Sequence, residues 1–541
     1  MLATIRHWFV DNFVELGREM RLSYLPPLMV YVAAGVSGLT GIVGTFFVKE
    51  YLGLSAAFLA ALGFWAGIPW ALKMPLGHLV DLIWRYKAGL VWLGAGLITA
   101  SLLIMLGLVT EPLRMRAVMS IEAWFVLSAL LAPVGYVLQD VVADAMTVEA
   151  VPRVDEHGQP LPAAARRLMN TTLQTLGRVA IIGGGVLVSL VNVFMFAGVE
   201  SLPPNAKAAI YSEVYALALL IPVISVAGVL LAALLQRRER QRLRARGFAE
   251  ARLRELLEPP LEPVQPNWWI LGGSLVFVVI SLSVGLSQLP FGEEIVFLAS
   301  FVVIVFLMGR LLRELDGDSR RTLLGTAIVI FVFRAVPGPG AGSTWWMIDA
   351  LGFDQSFLAK LSLIASVLTL LGLFTFRRFI AERSIAYIAG FLTLAGTLLS
   401  LPTLGMYYGL HEWTAAHTGG IIDARFIALI DTALESPLGQ IAMVPMLAWI
   451  ANSAPANLKA TYFAVMASFT NLALSASQLG TRYLNQIFEV NREVRDPVTN
   501  ALTTPADYSQ LGSLFMVSIV LGLVLPFAAI WLTRTLKLRS A

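Results

Sequence analysis

Fourteen stretches of this sequence are apolar over a length sufficient to cross a bilayer, and that alone removes most of the folds open to a chain of this size. A helix needs about 20 apolar residues to span. The stretches are 25–48, 55–79, 88–110, 119–147, 168–196, 209–235, 267–288, 294–312, 321–345, 355–376, 384–405, 427–451, 458–487 and 511–533. The runs are continuous, whereas a barrel strand alternates apolar and polar residues over about ten positions. Only 14% of residues are charged, against about 25% in soluble domains. A soluble enzyme, a disordered chain and a nucleic-acid-binding domain are excluded. The expected class is an all-α polytopic membrane protein with fourteen transmembrane helices.

The cations orient the spans. With the N-terminus placed in the cytoplasm, 27 of the 39 Lys and Arg fall on cytoplasmic segments, 7 on external segments and five within spans. Cytoplasmic loops carry the excess of Lys and Arg, so both termini are expected inside the cell, in a cell (inner) membrane protein. The net charge of +4 needs no nucleic-acid partner. Residues 1–24 read as an amphipathic cytoplasmic segment, with Ile5, Trp8, Phe9, Phe13 and Leu16 on one side, suited to lie along membrane lipids. There is no cysteine, hence no disulfide or thiolate metal site. No P-loop is present, and His411 and His417 are too far apart for a zinc-protease motif. No cofactor, metal or catalytic residue is expected.

An internal repeat sets the architecture. Leu52–Ala60 and Leu351–Ala359 agree at five of nine positions, at a constant offset of 299. Gly35, Gly38, Gly41 and Gly44 interrupt the first span, and at the same offset the ninth carries Arg334, Pro337, Gly340 and Ser343. Gly- and Pro-broken spans at matching places in two halves point to a transporter's binding site. The division is then 1–24, the six-helix half 25–235, a basic cytoplasmic linker 236–266, an inserted helix pair 267–320, and the six-helix half 321–541. Two parallel six-helix halves are the major facilitator architecture.

Ionisable residues inside spans are costly and mark function or pairing. Asp140 and Asp144 are four apart and share a helix face near the cytoplasmic end of span four. Lys73 and Arg178 lie at similar depth in spans two and five, so an acidic pair facing two cations is expected. It is either a static ion cluster or a cytoplasmic gate and proton site. In the second half Asp431 and Glu435 repeat the four-residue spacing in span twelve. Lys360 and Arg482 lie toward the external face, where long side chains snorkel to the interface. Arg334 falls near mid-span just before the Gly/Pro break. It suits bidentate capture of an anion, or pairs with Glu435.

Motifs add a family. Gly77, Asp81, Arg85 and Lys87 follow span two and resemble the major facilitator signature loop, which makes Asp81 a candidate conformational latch. Pro69, Lys73, Pro75, Gly77 and Asp81, with Gln139-Asp140, Asp144-Ala145 and Val148-Glu149 at the end of span four, resemble the folate–biopterin transporter family. Pro445–Trp449 and Ala460–Asn471 look like that family's penultimate-helix pattern. The resemblance covers roughly 25–235 and 320–535. The inserted pair, the sparse basic residues after Asp81 and the Ala150-Val151 continuation depart from the pattern. The muropeptide permease family shares the span-four segment, and light-harvesting assembly proteins of the same broad group need not transport. The resemblance implies a secondary transporter for a small organic anion, folate- or pterin-like, coupled to protons. Arg334, Glu435 and Asn471 are then the candidate substrate residues, and Lys73, Asp81, Asp140, Asp144, Arg178 and Asp431 the gating and proton residues.

Overall fold

A computed structural model of the chain describes residues 15–71, 73–152, 159, 161–249, 266–287, 289–313, 316–376, 383–438, 459–495 and 502–540. Helices dominate it. The first half comprises α1 (Leu25–Gly35), α2 (Gly41–Tyr51), α3 (Ala56–Ala71), α4 (Lys73–Leu82), α5 (Lys87–Thr110), α6 (Ile121–Ala150), α7 (Ala163–Met195), α8 (Pro204–Ala218) and α9 (Leu220–Ala245). The inserted pair is α10 (Trp268–Ser287) and α11 (Gly292–Leu312). The second half comprises α12 (Gly317–Arg334), α13 (Ala341–Asp349), α14 (Gln355–Thr375), α15 (Ile385–Tyr407), α16 (Ala424–Glu435), α17 (Lys459–Ile487) and α18 (Leu511–Thr535). A small hairpin pairs β1 (Val494–Arg495) with β2 (Leu502–Thr504) between the last two helices.

Eleven helices among the described residues are long and apolar enough to cross a membrane, and the chain is a multi-pass membrane protein. The three other expected spans differ for separate reasons. Stretch 321–345 is not one helix but α12 and α13, parted at Ala335–Gly340. Stretch 427–451 begins as α16 and a 3-10 turn at Ser436–Leu438, and 439–451, with Pro445–Trp449, lie outside the described residues. Stretch 458–487 is helical as α17, but its row of Ser, Thr, Asn, Gln and Arg lowers its hydropathy. The linker begins as a continuation of α9 to Ala245, and 250–265 lie outside the described residues, as do 1–14.

The repeat shows in the backbone. Span one tightens from α-helix into a 3-10 turn at Val36–Thr40. The offset of 299 places that turn over Ala335–Pro339, where α12 and α13 separate. At the first break, helices cross without side chains between them. A Cβ on Gly184 of α7 would lie 2.8 Å from the Gly35 Cα. Small residues permit such close approach in a membrane.

The halves meet along two seams, α3 against α17 and α7 against α14. The second seam is polar, with the Ser189 hydroxyl 3.0 Å from that of Ser362 and 3.3 Å from that of Ser366. One side of the bundle carries residues 15–24 and 536–540 and is called the terminus side below. The far side carries the α2–α3 and α13–α14 turns.

Candidate functional site

The first-half cluster sits toward the terminus side. Pro69 interrupts the hydrogen-bond ladder of α3, and Lys73 follows at the start of α4. Its ammonium lies 2.6 Å from Asp140 and 2.8 Å from Asp144. One cation thus holds both carboxylates of the α6 face. Tyr31 of α1 donates its hydroxyl to the second oxygen of Asp144 at 2.7 Å. Gly177 of α7 leaves room for that ring, since a Cβ there would lie 3.0 Å from it. The neighbouring Gln139 donates to the Val91 carbonyl and to Ser225, fixing α6 against α5 and α9. The Asp144 side chain is 40% exposed and Asp140 only 14%, so water reaches the cluster through Asp144.

Arg178 is not the second ligand of this cluster. It acts on Asp140 and Tyr31 through space, and among the described residues it makes no ion pair. The second partner of Asp144 is the Tyr31 hydroxyl. A tyrosine in an apolar run reads as packing, and its hydroxyl gains meaning only when span one is laid beside span four. Asp81 lies on α4, and its side chain lies outside the described residues. The signature loop is tied down nearby: Lys87 reaches Glu149 at 2.7 Å and lies 4.2 Å from the centre of the Trp84 ring.

In the second half the break is braced. Ser477, Thr481 and Asn485 stand four apart on one face of α17. Ser477 donates to the Val336 carbonyl at 2.7 Å, Thr481 accepts from the Gly338 amide at 3.0 Å, and Asn485 donates to the Pro339 carbonyl at 3.2 Å. These groups satisfy the backbone freed by the break, which hydrocarbon would otherwise leave unpaired. Gly340 has φ +75°, and a Cβ there would lie 2.8 Å from the Asn485 amide nitrogen. The position needs glycine for both reasons. The polar row was legible as a four-residue periodicity, but its target was not.

Arg334 is the last residue of α12, half-buried at the foot of this break. No ion pair joins it to Glu435 among the described residues. Asp431 is half-buried with one carboxylate oxygen lacking a hydrogen-bond partner, and Glu435, one turn further, is exposed. Asn471 donates its amide to the Trp70 carbonyl at 3.1 Å across the α3–α17 seam. Lys360 is exposed. Arg482 does not snorkel: it pairs with Glu293 at 2.8 Å and Glu294 at 3.6 Å on the inserted pair.

The far side holds contacts that sequence reasoning missed. Lys49, at the end of span one, pairs with Asp349 at the end of α13 at 2.5 Å, joining the halves. Tyr508 donates to the other Asp349 oxygen at 2.5 Å. Arg492, beside the hairpin, is 3% exposed. It donates to the carbonyls of Lys49 at 2.9 Å and Leu54 at 2.6 Å, and lies 4.4 Å from the centre of the Trp345 ring. Burial pulls its guanidinium pKa down to about 10, which leaves it charged at neutral pH. These are pairings between residues some 150 to 440 positions apart, which no local pattern encodes.

A family model described as the BT1 family matches residues 34–537. A folate-biopterin transporter of Synechocystis sp. (strain ATCC 27184 / PCC 6803 / Kazusa) is 24% identical over 468 residues, covering 86% of this chain and 75% of its own. Among solved structures, a POT family transporter in complex with 5-aminolevulinic acid superposes with TM-score 0.61 at 12% identity, over 95% of this chain and 96% of that one. A nucleoside transporter superposes with TM-score 0.52 at 12% identity, over 94% and 99%. The two structures show the fold alone.

Proposed function

The chain belongs to the BT1 family, and on that footing we propose that it is a secondary active transporter carrying a small folate- or pterin-like organic anion across the inner membrane, coupled to protons. It is a membrane transporter by family. Substrate, proton coupling, alternating access and cytoplasmic termini belong to the proposal. The substrate class comes from the folate-biopterin relative.

The observation that carries the mechanism is the pairing of two broken spans in repeat register with a closed far side. The 3-10 stretch Val36–Thr40 inside continuous span one and the break at Ala335–Gly340 lie at the same offset of 299. Lys49–Asp349 and Arg492 tie the halves on one side. A bundle of two halves tied at one end moves by rocking about its seams, which is the physical content of alternating access. Arg334, beside the second break, supplies the cation for an anionic substrate, and Glu435 on α16 is assigned to the same substrate without an ion pair to Arg334 among the described residues. Asn471 is held at the seam instead. For protons, Lys73 offers one positive charge to two carboxylates. The excess negative charge, reached by water at Asp144, is the site a proton neutralises, and Asp431 with Glu435 forms a second acceptor. Asp81 and Arg178 tune this end of the first half.

Uptake into proteoliposomes under an imposed proton gradient tests the reading. Wild-type protein is expected to accumulate a folate or pterin. Asp140→Asn should lose acceleration by the gradient while still inserting and folding. Arg334→Lys, which keeps charge but loses the planar fork, should weaken substrate binding roughly tenfold, about 1.4 kcal/mol. Absence of uptake by the wild type, with muropeptides and acyl compounds also untransported, would favour an assembly role.

A further inference from the structure

The inserted pair is bound to both halves, and unequally. Along its length it packs on the second half: Ile270, Ile304 and Leu307 share a buried cluster with Met466, Phe469 and Leu472 of α17. To the first half it makes two polar contacts among the described residues. Toward the far side, Glu293 accepts from the Trp65 indole of α3 through one oxygen, at 3.2 Å, and from Arg482 of α17 through the other, at 2.8 Å. Around that carboxylate, Phe64 and Ile68 of α3 join Phe277, Val284 and Val296 of the pair. On the terminus side, the Asn267 backbone N–H donates to the His78 imidazole at 2.9 Å. His78 lies thirteen residues beyond Trp65 along span two, roughly 20 Å at 1.5 Å per residue.

We propose that the inserted pair is a staple across the α3–α17 seam, anchored in the second half and gripping the first through Glu293. One carboxylate bridges the halves in a half-buried setting, where a charge-assisted hydrogen bond is strong. Rocking that parts the far side must pull Trp65 from Glu293, and rocking that parts the terminus side must pull His78 from Asn267. The pair therefore sets how easily each side opens. This rests on the proposed movement of the halves, and its test reads conformation directly instead of transport.

The absence of cysteine allows clean labelling. Val118→Cys and Ile421→Cys place spin labels on exposed far-side turns of the two halves, and the distance distribution is measured by pulsed electron resonance in nanodiscs. Glu293→Gln should raise the ratio of long to short distances roughly tenfold, the scale of one charge-assisted hydrogen bond. Trp65→Phe, which removes the indole donor of the first-half arm and leaves a smaller aromatic ring in its place, should give a smaller rise of the same sign. Lys49→Ala with Asp349→Ala serves as the reference that frees the far side. If that reference lengthens the distances while Glu293→Gln and Trp65→Phe leave them unchanged, the staple is overturned and moving halves stand. If all variants keep the wild-type distribution, the moving halves fail and the staple with them.

Discussion

Two pairs of carboxylates at the same four-residue spacing meet opposite surroundings in the two halves. Asp140 and Asp144 on α6 share Lys73, and Asp144 also accepts from Tyr31. Asp431 and Glu435 on α16 have no ion-pair partner among the described residues, and Asp431 keeps one oxygen unbonded. Spacing puts two acids on one helix face in both cases. What separates them is a cation delivered by a different span: α4 brings one to the first pair, and Arg334 does not reach Glu435. The first half therefore ties its charge into a network, and the second leaves its acids without a cation among the described residues.

The comparison breaks most readily at Lys73. Lys73→Ala leaves two carboxylates facing each other without their cation. Removing one partner of a buried pair costs roughly 3–5 kcal/mol, and the partial exposure of Asp144 places the expectation near the lower end. Unfolding of detergent-solubilised protein, by heat or chaotrope, measures it. Adding Asp140→Asn and Asp144→Asn to Lys73→Ala should recover most of the loss, because no uncompensated charge remains. A loss no greater than that from substituting Asp431 would mean the network contributes nothing to the first half.

How much of this was legible depends on the range of the pattern. The two breaks were readable, because Gly35 to Gly44 and Val336 to Gly342 announce them locally and the offset of 299 aligns them. The grouping of Lys73, Asp140 and Asp144 followed from helix periodicity plus the side of the membrane each end reaches. Arg178 did not follow, since equal depth along two spans fixes neither rotation nor distance. Apolar content marked 458–487 as one of fourteen stretches but could not show that α17 places Ser477, Thr481 and Asn485 to brace a neighbour. Lys49–Asp349, Arg492 and Glu293 were invisible for a simpler reason: each acts across a seam between segments hundreds of residues apart.

A second measurement sharpens the first-half side of the comparison. Tyr31→Phe removes one hydroxyl donated to a charged oxygen and nothing else, because the ring still fills the space that Gly177 leaves. Hydrogen bonds to charged groups contribute roughly 1.5–3 kcal/mol, so a loss in that range is expected in the same unfolding assay. In the Asp144→Asn background the loss should shrink toward that of a neutral hydrogen bond, about 0.5–1.5 kcal/mol. Equal losses in both backgrounds would place Tyr31 outside the network, as a packing residue only.

The smallest expected effect is in the second half, and its smallness is the point. Asp431→Asn removes a half-buried charge that no cation offsets among the described residues, and Glu435→Gln removes an exposed one. Substitutions away from a bonded network fall within about 0.5 kcal/mol, and relieving an unpaired charge acts in the stabilising direction. Each variant is therefore expected to unfold at or slightly above the wild-type midpoint, while Asp140→Asn unfolds below it because Lys73 loses a ligand. The two signs separate the halves more sharply than either magnitude. If Asp431→Asn destabilises as Asp140→Asn does, the second pair has a cation after all, and the open acceptor assigned to it belongs to the first half alone.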